Sequence, residues 1–200
     1  MSDSKSVSYE LMTALTAVCE WGGPGQFEAD RSLVIRRFAK SANSNVAEQV
    51  IKATLMVPAD RDELRMMLPL GTVLEADLAG AGRNPDPHME AWRQFSLALF
   101  AFRQEHYDAA SALASQSLAT AKNSQPRAES NRIVLAMVDA KQGRLTDART
   151  ALAGVRKAVE KWESAPFSLR AEDGGLWSNW GIVRILLKDA ESMLPKTEGK

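Results

Sequence analysis

The chain holds one cysteine, two histidines and no excess of either charge. A single thiol, Cys19, excludes an internal disulfide framework and any cysteine-rich zinc module. Residues 1–100 carry 10 Lys/Arg against 13 Asp/Glu, and residues 101–200 carry 15 against 12, so neither half is strongly charged. A dedicated binder of nucleic acid or of an anionic membrane needs a basic excess, and neither partner is expected. The longest unbroken apolar run, Leu97 to Phe102, is six residues. About 20 are needed to cross a bilayer. The first residues, MSDSKSVSYE, lack the basic-then-apolar order of a secretion signal, so the expected location is the cytoplasm. What is present is ordinary for a globular protein: 45% hydrophobic and 25% charged residues over 200 positions, enough for one domain spanning 1–200.

Strand signals are as scarce as cysteine. There is no sustained alternation and no Asn-Gly or Asp-Gly hairpin. Helical periodicity runs almost end to end. From Tyr107, the small and apolar residues Ala110, Leu113, Ala114, Ser117 and Leu118 recur at spacings of 3, 1, 3 and 1, the stripe a helix packs against a neighbour. The pattern predicts helices at 6–21, 26–41, 46–57, 61–80, 88–104, 107–121, 126–142, 145–161 and 176–194. Punctuation supports these bounds. The run Gly22, Gly23, Pro24, Gly25 is the strongest breaker. Asn45 with Glu48, and Asp60 with Glu63, read as capping boxes. Asp86 before Pro87 puts an N-cap ahead of a first-turn proline, and Ser124 before Pro126 nearly repeats it. Gly143 fits a left-handed C-cap before Thr146 opens the next helix. Gly80 and Gly82 read as a stop. The stretch WESAPFSLRAEDGG, 162–175, is too broken for a helix.

Two segments repeat. Leu97 and Ala98 are followed by Glu105, His106, Tyr107 and Ala110, and Leu135 and Ala136 by Gly143, Arg144, Leu145 and Ala148. In each, a tight turn and a large apolar residue follow, with alanines where two helices would approach closely. The offset of 38 residues resembles the tetratricopeptide repeat, whose period is about 34. Gly25, Phe27 and Asp30 form a degenerate third copy in which Asp30 breaks the pattern. The resemblance implies an all-α, TPR-like solenoid of about four antiparallel hairpins. Degenerate hairpins would occupy 6–86, two clearer repeats 87–161, and a closing helix 176–194.

A second resemblance is closer in sequence. SNVAEQVIKATLMVP (44–58) and LWSNWGIVRILLKDAESML (176–194) are similar to segments in the C-terminal helical-repeat regions of planctomycete-type bacterial serine/threonine protein kinases. This implies the same fold and a signalling context. It implies no kinase activity, because the chain lacks a glycine-rich phosphate loop, a His-Arg-Asp loop and an Asp-Phe-Gly motif.

No constellation for catalysis stands out, and no catalytic residue, cofactor or metal ligand is expected. His88 and His106 flank one predicted helix, roughly 27 Å apart at 1.5 Å per residue, too far to share a metal. Cys19, with Leu15, Val18 and Trp21 around it, reads as an inert buried thiol. Asp60, Asp62 and Glu63 read as a solvated helix start, and Arg31, Arg36, Arg37 and Lys40 as a solvated basic face. The aromatics invite two readings. Trp92, Phe95, Leu99 and Phe102 recur at 3, 4 and 3, and the next repeat offers Ile133, Met137 and Lys141. The plainer reading makes this stripe core, filled by Trp177, Trp180, Val183, Leu187 and Leu194 of the closing helix. The sharper one makes it a groove for a partner peptide, with Arg103 and Lys141 as polar rim. The function expected is non-catalytic protein–protein interaction. A small-ligand sensor or enzyme with an interhelical pocket is the alternative, and a nucleic-acid-binding repeat a weaker one.

Overall fold

The computed structural model describes residues 4–80, 86–120, 124–165 and 177–195, and among them there are ten helices and no strand. They are α1 (Ser4–Trp21), α2 (Gln26–Phe38), α3 (Ser44–Thr54), α4 (Arg61–Met66), α5 (Leu68–Ala79), α6 (Pro87–Arg103), α7 (Tyr107–Thr120), α8 (Gln125–Lys141), α9 (Leu145–Ser164) and α10 (Trp177–Ser192). The expected excursion at 162–175 is shorter on its near side, since α9 runs on to Ser164; residues 166–176, like Gly82, lie outside the described residues.

Local chemistry explains where the helices begin and end. The Asp60 capping box forms: its Oδ1 accepts from the Glu63 N–H at 2.8 Å, and Glu63 Oε2 accepts from the Asp60 N–H at 3.3 Å. The box expected at Asn45 and Glu48 does not. Asn43 caps α3, its Oδ1 accepting from the N–H groups of Asn45 and Val46, and Glu48 turns inward to Lys52. The helix expected over 61–80 is two, interrupted at Met67. Pro69 has no N–H to offer the carbonyl one turn back, so the ladder breaks and restarts with proline in the first turn of α5. Asp86 caps α6 through the N–H groups of His88 and Met89. Ser124 stands at the N-cap of α8 without a side-chain bond, and α9 opens at Leu145, not Thr146.

The repeat is visible in the backbone. Among the described residues, positive φ occurs at Gly25 (76°), Glu105 (65°) and Gly143 (82°), the same position of the three sequence copies. At the two later turns the hydrogen bonds coincide: His106 N–H donates to Ala101 O, and Arg144 N–H to Asp139 O, at 2.9 and 2.8 Å. Each closes a helix end through one left-handed residue. Ala98 and Ala110 of the packed pair α6 and α7, and Ala136 and Ala148 of the packed pair α8 and α9, are all fully buried.

The inner helices meet in a closed circuit. α1 packs on α3, α3 on α6, α6 on α8, α8 on α10, and α10 returns to α1. The others lie outside the seams: α2 on α1 and α3, α4 on α2 and α5, α5 on α3 and α6, α7 on α6 and α8, α9 on α8 and α10. The last seam is tight. A Cβ added at Gly181 of α10 would lie 2.5 Å from Thr16 Cγ2 of α1.

Two predictions follow from these contacts. A non-glycine residue in the left-handed region is strained, so Glu105→Gly should stabilise the fold by about 0.5–1 kcal/mol after glycine's own entropic cost. Chemical denaturation should show the midpoint rising with an unchanged slope. Gly181→Ala forces a methyl into Thr16, a β-branched side chain with little room to turn aside. It should destabilise by about 1–3 kcal/mol, read as a lowered melting temperature.

Candidate functional site

The aromatic stripe of α6 is core and not a groove. Trp92, Phe95, Leu99 and Phe102 are buried, as are Ile133 and Met137 of α8. Trp180, Val183 and Leu187 of α10 join the same core. Trp92 is covered on one face by Lys52, whose Nζ lies 4.1 Å from the ring centroid while pairing with Glu48 Oε1 at 2.6 Å. A cation held by a buried carboxylate over an indole occupies the space a partner side chain would need. The polar rim is not one either. The Arg103 guanidinium is buried: it donates from Nη1 to Asp189 Oδ2 at 2.8 Å and from Nε and Nη2 to the carbonyls of Leu55 and Met56. Those carbonyls end α3, so Arg103 caps that helix and ties it to α10. Lys141 is exposed at the last residue of α8.

Other sequence readings also shift. Arg31 is not on the solvated face with Arg36, Arg37 and Lys40. It is buried, with Nε and Nη2 on the two oxygens of Glu63 at 3.1 and 2.9 Å and Nη1 on Pro58 O. Glu63 therefore caps α4 and anchors α2, and it also accepts from Ser32 Oγ. His88 accepts from Trp92 Nε1 at 3.3 Å, and His106 sits exposed in its turn. Among the described residues no group of three or more His, Cys, Asp or Glu could hold a metal ion, and no helix is long and apolar enough to cross a membrane.

What the chain leaves open lies where its ends meet. Trp21, the last residue of α1, is 69% exposed, and Trp177, the first of α10, is 40% exposed. Their rings are in contact, tilted by 32° with centroids 5.6 Å apart. Trp177 thus stands off the buried stripe that Trp180 belongs to; Trp180 stacks instead on Trp162, at 5.2 Å. Beside the exposed pair opens a cleft of about 610 Å³ lined by α1, α10 and Val57. On its α1 wall stand Cys19, Glu20 and Trp21, and on its α10 wall Arg184, Ile185, Lys188, Asp189 and Ser192.

The ionic pairs that brace this cleft run between helices. Arg184 donates from Nε to Glu20 Oε1 at 2.8 Å and from Nη1 to Glu163 Oε1 at 3.3 Å, joining α10 to α1 and α9. The hydrogen bonds it donates to Glu20 and Glu163 raise the Arg184 guanidinium pKa above its ordinary value. Cys19 is half-buried. Burial, reinforced by Glu28 and Glu20, pushes its thiol from 9.0 up to about 11. The protonated form therefore prevails at neutral pH. No local pattern marked this site, because Trp21 and Trp177 come from opposite ends of the chain; only the stretch 176–194, read as a closing helix, pointed to one half of it.

Alkylation of Cys19 by iodoacetamide should reflect the raised value. A rise from 9.0 to about 11 leaves about a hundredfold less thiolate at pH 8. The second-order rate should stay far below that of a free thiol at pH 8 and climb until about pH 11; a plateau near pH 9 would refute the assignment. Compared with known proteins, the chain significantly matches no family model, no curated protein and no solved structure.

Proposed function

We propose that this chain is a non-catalytic helical interaction module of tetratricopeptide type, and that its contact surface is the exposed Trp21–Trp177 pair rather than the aromatic stripe of α6. The observation that carries the reading is the pair itself: two indoles in tilted contact, among the most exposed large apolar side chains described, set side by side on two packed helices. Tryptophan is enriched at the centres of protein interfaces, where a large ring is buried on binding at little cost in side-chain entropy. Both rings sit on helices already braced by Arg184 and Glu20, so a partner would meet a preformed surface. The likeness of 44–58 and 176–194 to kinase-associated repeats favours a partner in bacterial signalling, on resemblance alone.

A photo-crosslinking amino acid in place of Trp21 tests this in the source cell, with the same substitution at Leu68, which is also exposed, as the control. Position 21 should give a discrete protein adduct that position 68 does not, and Trp177→Ala should weaken binding of the identified partner by about 30-fold, the effect of an interface hot spot near 2 kcal/mol. Equal labelling from both positions would end the proposal.

A further inference from the structure

The cleft beside Trp21 has a chemistry of its own. Its apolar walls are Trp21, Val57 and Ile185. Its two carboxylates are already engaged, Glu20 by Arg184 and Asp189 by Arg103. Its arginine, Arg184, is engaged by Glu20 and Glu163. The Cys19 thiol is neutral. One charged group of the lining has no partner. Lys188 is exposed, lines the cleft one turn after Arg184, and has no ion pair or hydrogen bond among the described residues. It is also close enough to Cys19 to act on that thiol's charge.

We propose that the cleft binds a small organic carboxylate, its apolar body against Trp21, Val57 and Ile185 and its charge on Lys188. The volume of about 610 Å³ falls within the roughly 300–1,000 Å³ range of small-molecule sites. The lining sums to zero, Glu20 and Asp189 against Arg184 and Lys188, so the selection rests on Lys188 as its one cation unpaired among the described residues, which a monoanion matches. A cation would meet Lys188 with both carboxylates already taken. A phosphate dianion would set a second negative charge near Glu20 and Asp189 with no free cation to match it. A neutral apolar molecule would leave the ammonium at the mouth of the cleft without a partner, and so lacks the charge-assisted contact that a carboxylate gains. The inference shares Trp21 with the interaction surface proposed above but requires no protein partner.

Isothermal titration of the full chain decides it, with 2-naphthoate as the probe and 2-naphthol, 2-naphthylmethylammonium and 2-naphthyl phosphate as comparisons. The expected result is saturable binding of naphthoate, at least tenfold tighter than of the other three. Lys188→Met should weaken naphthoate at least tenfold, and Lys188→Glu should turn the preference toward the ammonium compound. Both change an exposed side chain, and circular dichroism checks that the helices persist. Trp21→Ala should weaken all four compounds together, because it removes a wall and no charge. Absence of saturable naphthoate binding, equal binding of the four compounds, or naphthoate binding unaffected by Lys188→Met would overturn the proposal.

Discussion

Closure of the inner circuit is the constraint on which the rest of this structure depends. Each of α1, α3, α6, α8 and α10 has an apolar face too broad to be covered by a single neighbour. The circuit closes only because α10 packs on α8 on one side and on α1 on the other. The α1–α10 seam is set by the absence of a side chain at Gly181 opposite Thr16. Where that seam closes, Trp180 is buried and Trp177 is left outside. The α6 stripe is core because α3, α5, α7 and α8 pack around that helix, and the exposed aromatic pair lies at the junction of the first and last helices.

Arginines hold the seams. Arg31 links α2 to Glu63 of α4, Arg93 links α6 to Asp77 of α5 at 2.7 Å, Arg103 links α6 to α3 and α10, and Arg184 links α10 to α1 and α9. A buried pair adds little net stability over a well-packed apolar one, yet removing one member leaves the other charge stranded, at about 3–5 kcal/mol. Such pairs therefore specify which helix lies against which more than they strengthen the contact. The pattern continues between α7 and α8, where Ser117 Oγ donates to Ala91 O at 2.6 Å and accepts from Arg127 Nη1 and Asn131 Nδ2. Part of the chain's formal neutrality is thus an arrangement of pairs between helices; Lys188 in the cleft and Arg36, Arg37 and Lys40, on and just past the end of α2, are exposed and stand outside it.

The helices and their ends were legible in the sequence wherever a local rule decides them. Proline and aspartate fix the start of α6, and Asp60 with Glu63 the start of α4. The repeat between Glu105 and Gly143 shows as left-handed turns of equal geometry, though Glu105 gives no hint of a positive φ by its type. The failures share a cause. Met67 breaks a helix that periodicity runs through, because Pro69 removes one bond without disturbing the apolar pattern. Glu48 looks like a capping acid by spacing, but Lys52, one turn on, draws it inward. In both, an interaction that periodicity and spacing do not record decided: a backbone bond lost at Pro69 and an ion pair gained at Glu48.

By itself the sequence determined the helical class, most of the breaks and the pairing of adjacent helices into hairpins, because these follow from side-chain spacing and from backbone groups a few residues apart. Whether the α6 stripe is core or groove, which arginines are buried, and where exposed tryptophan and an unpaired lysine meet were decided only by the tertiary structure. Those outcomes rest on contacts such as Arg184 with Glu20, separated by 164 residues. Periodicity records which face of a helix is apolar; it carries no information about which distant helix covers that face.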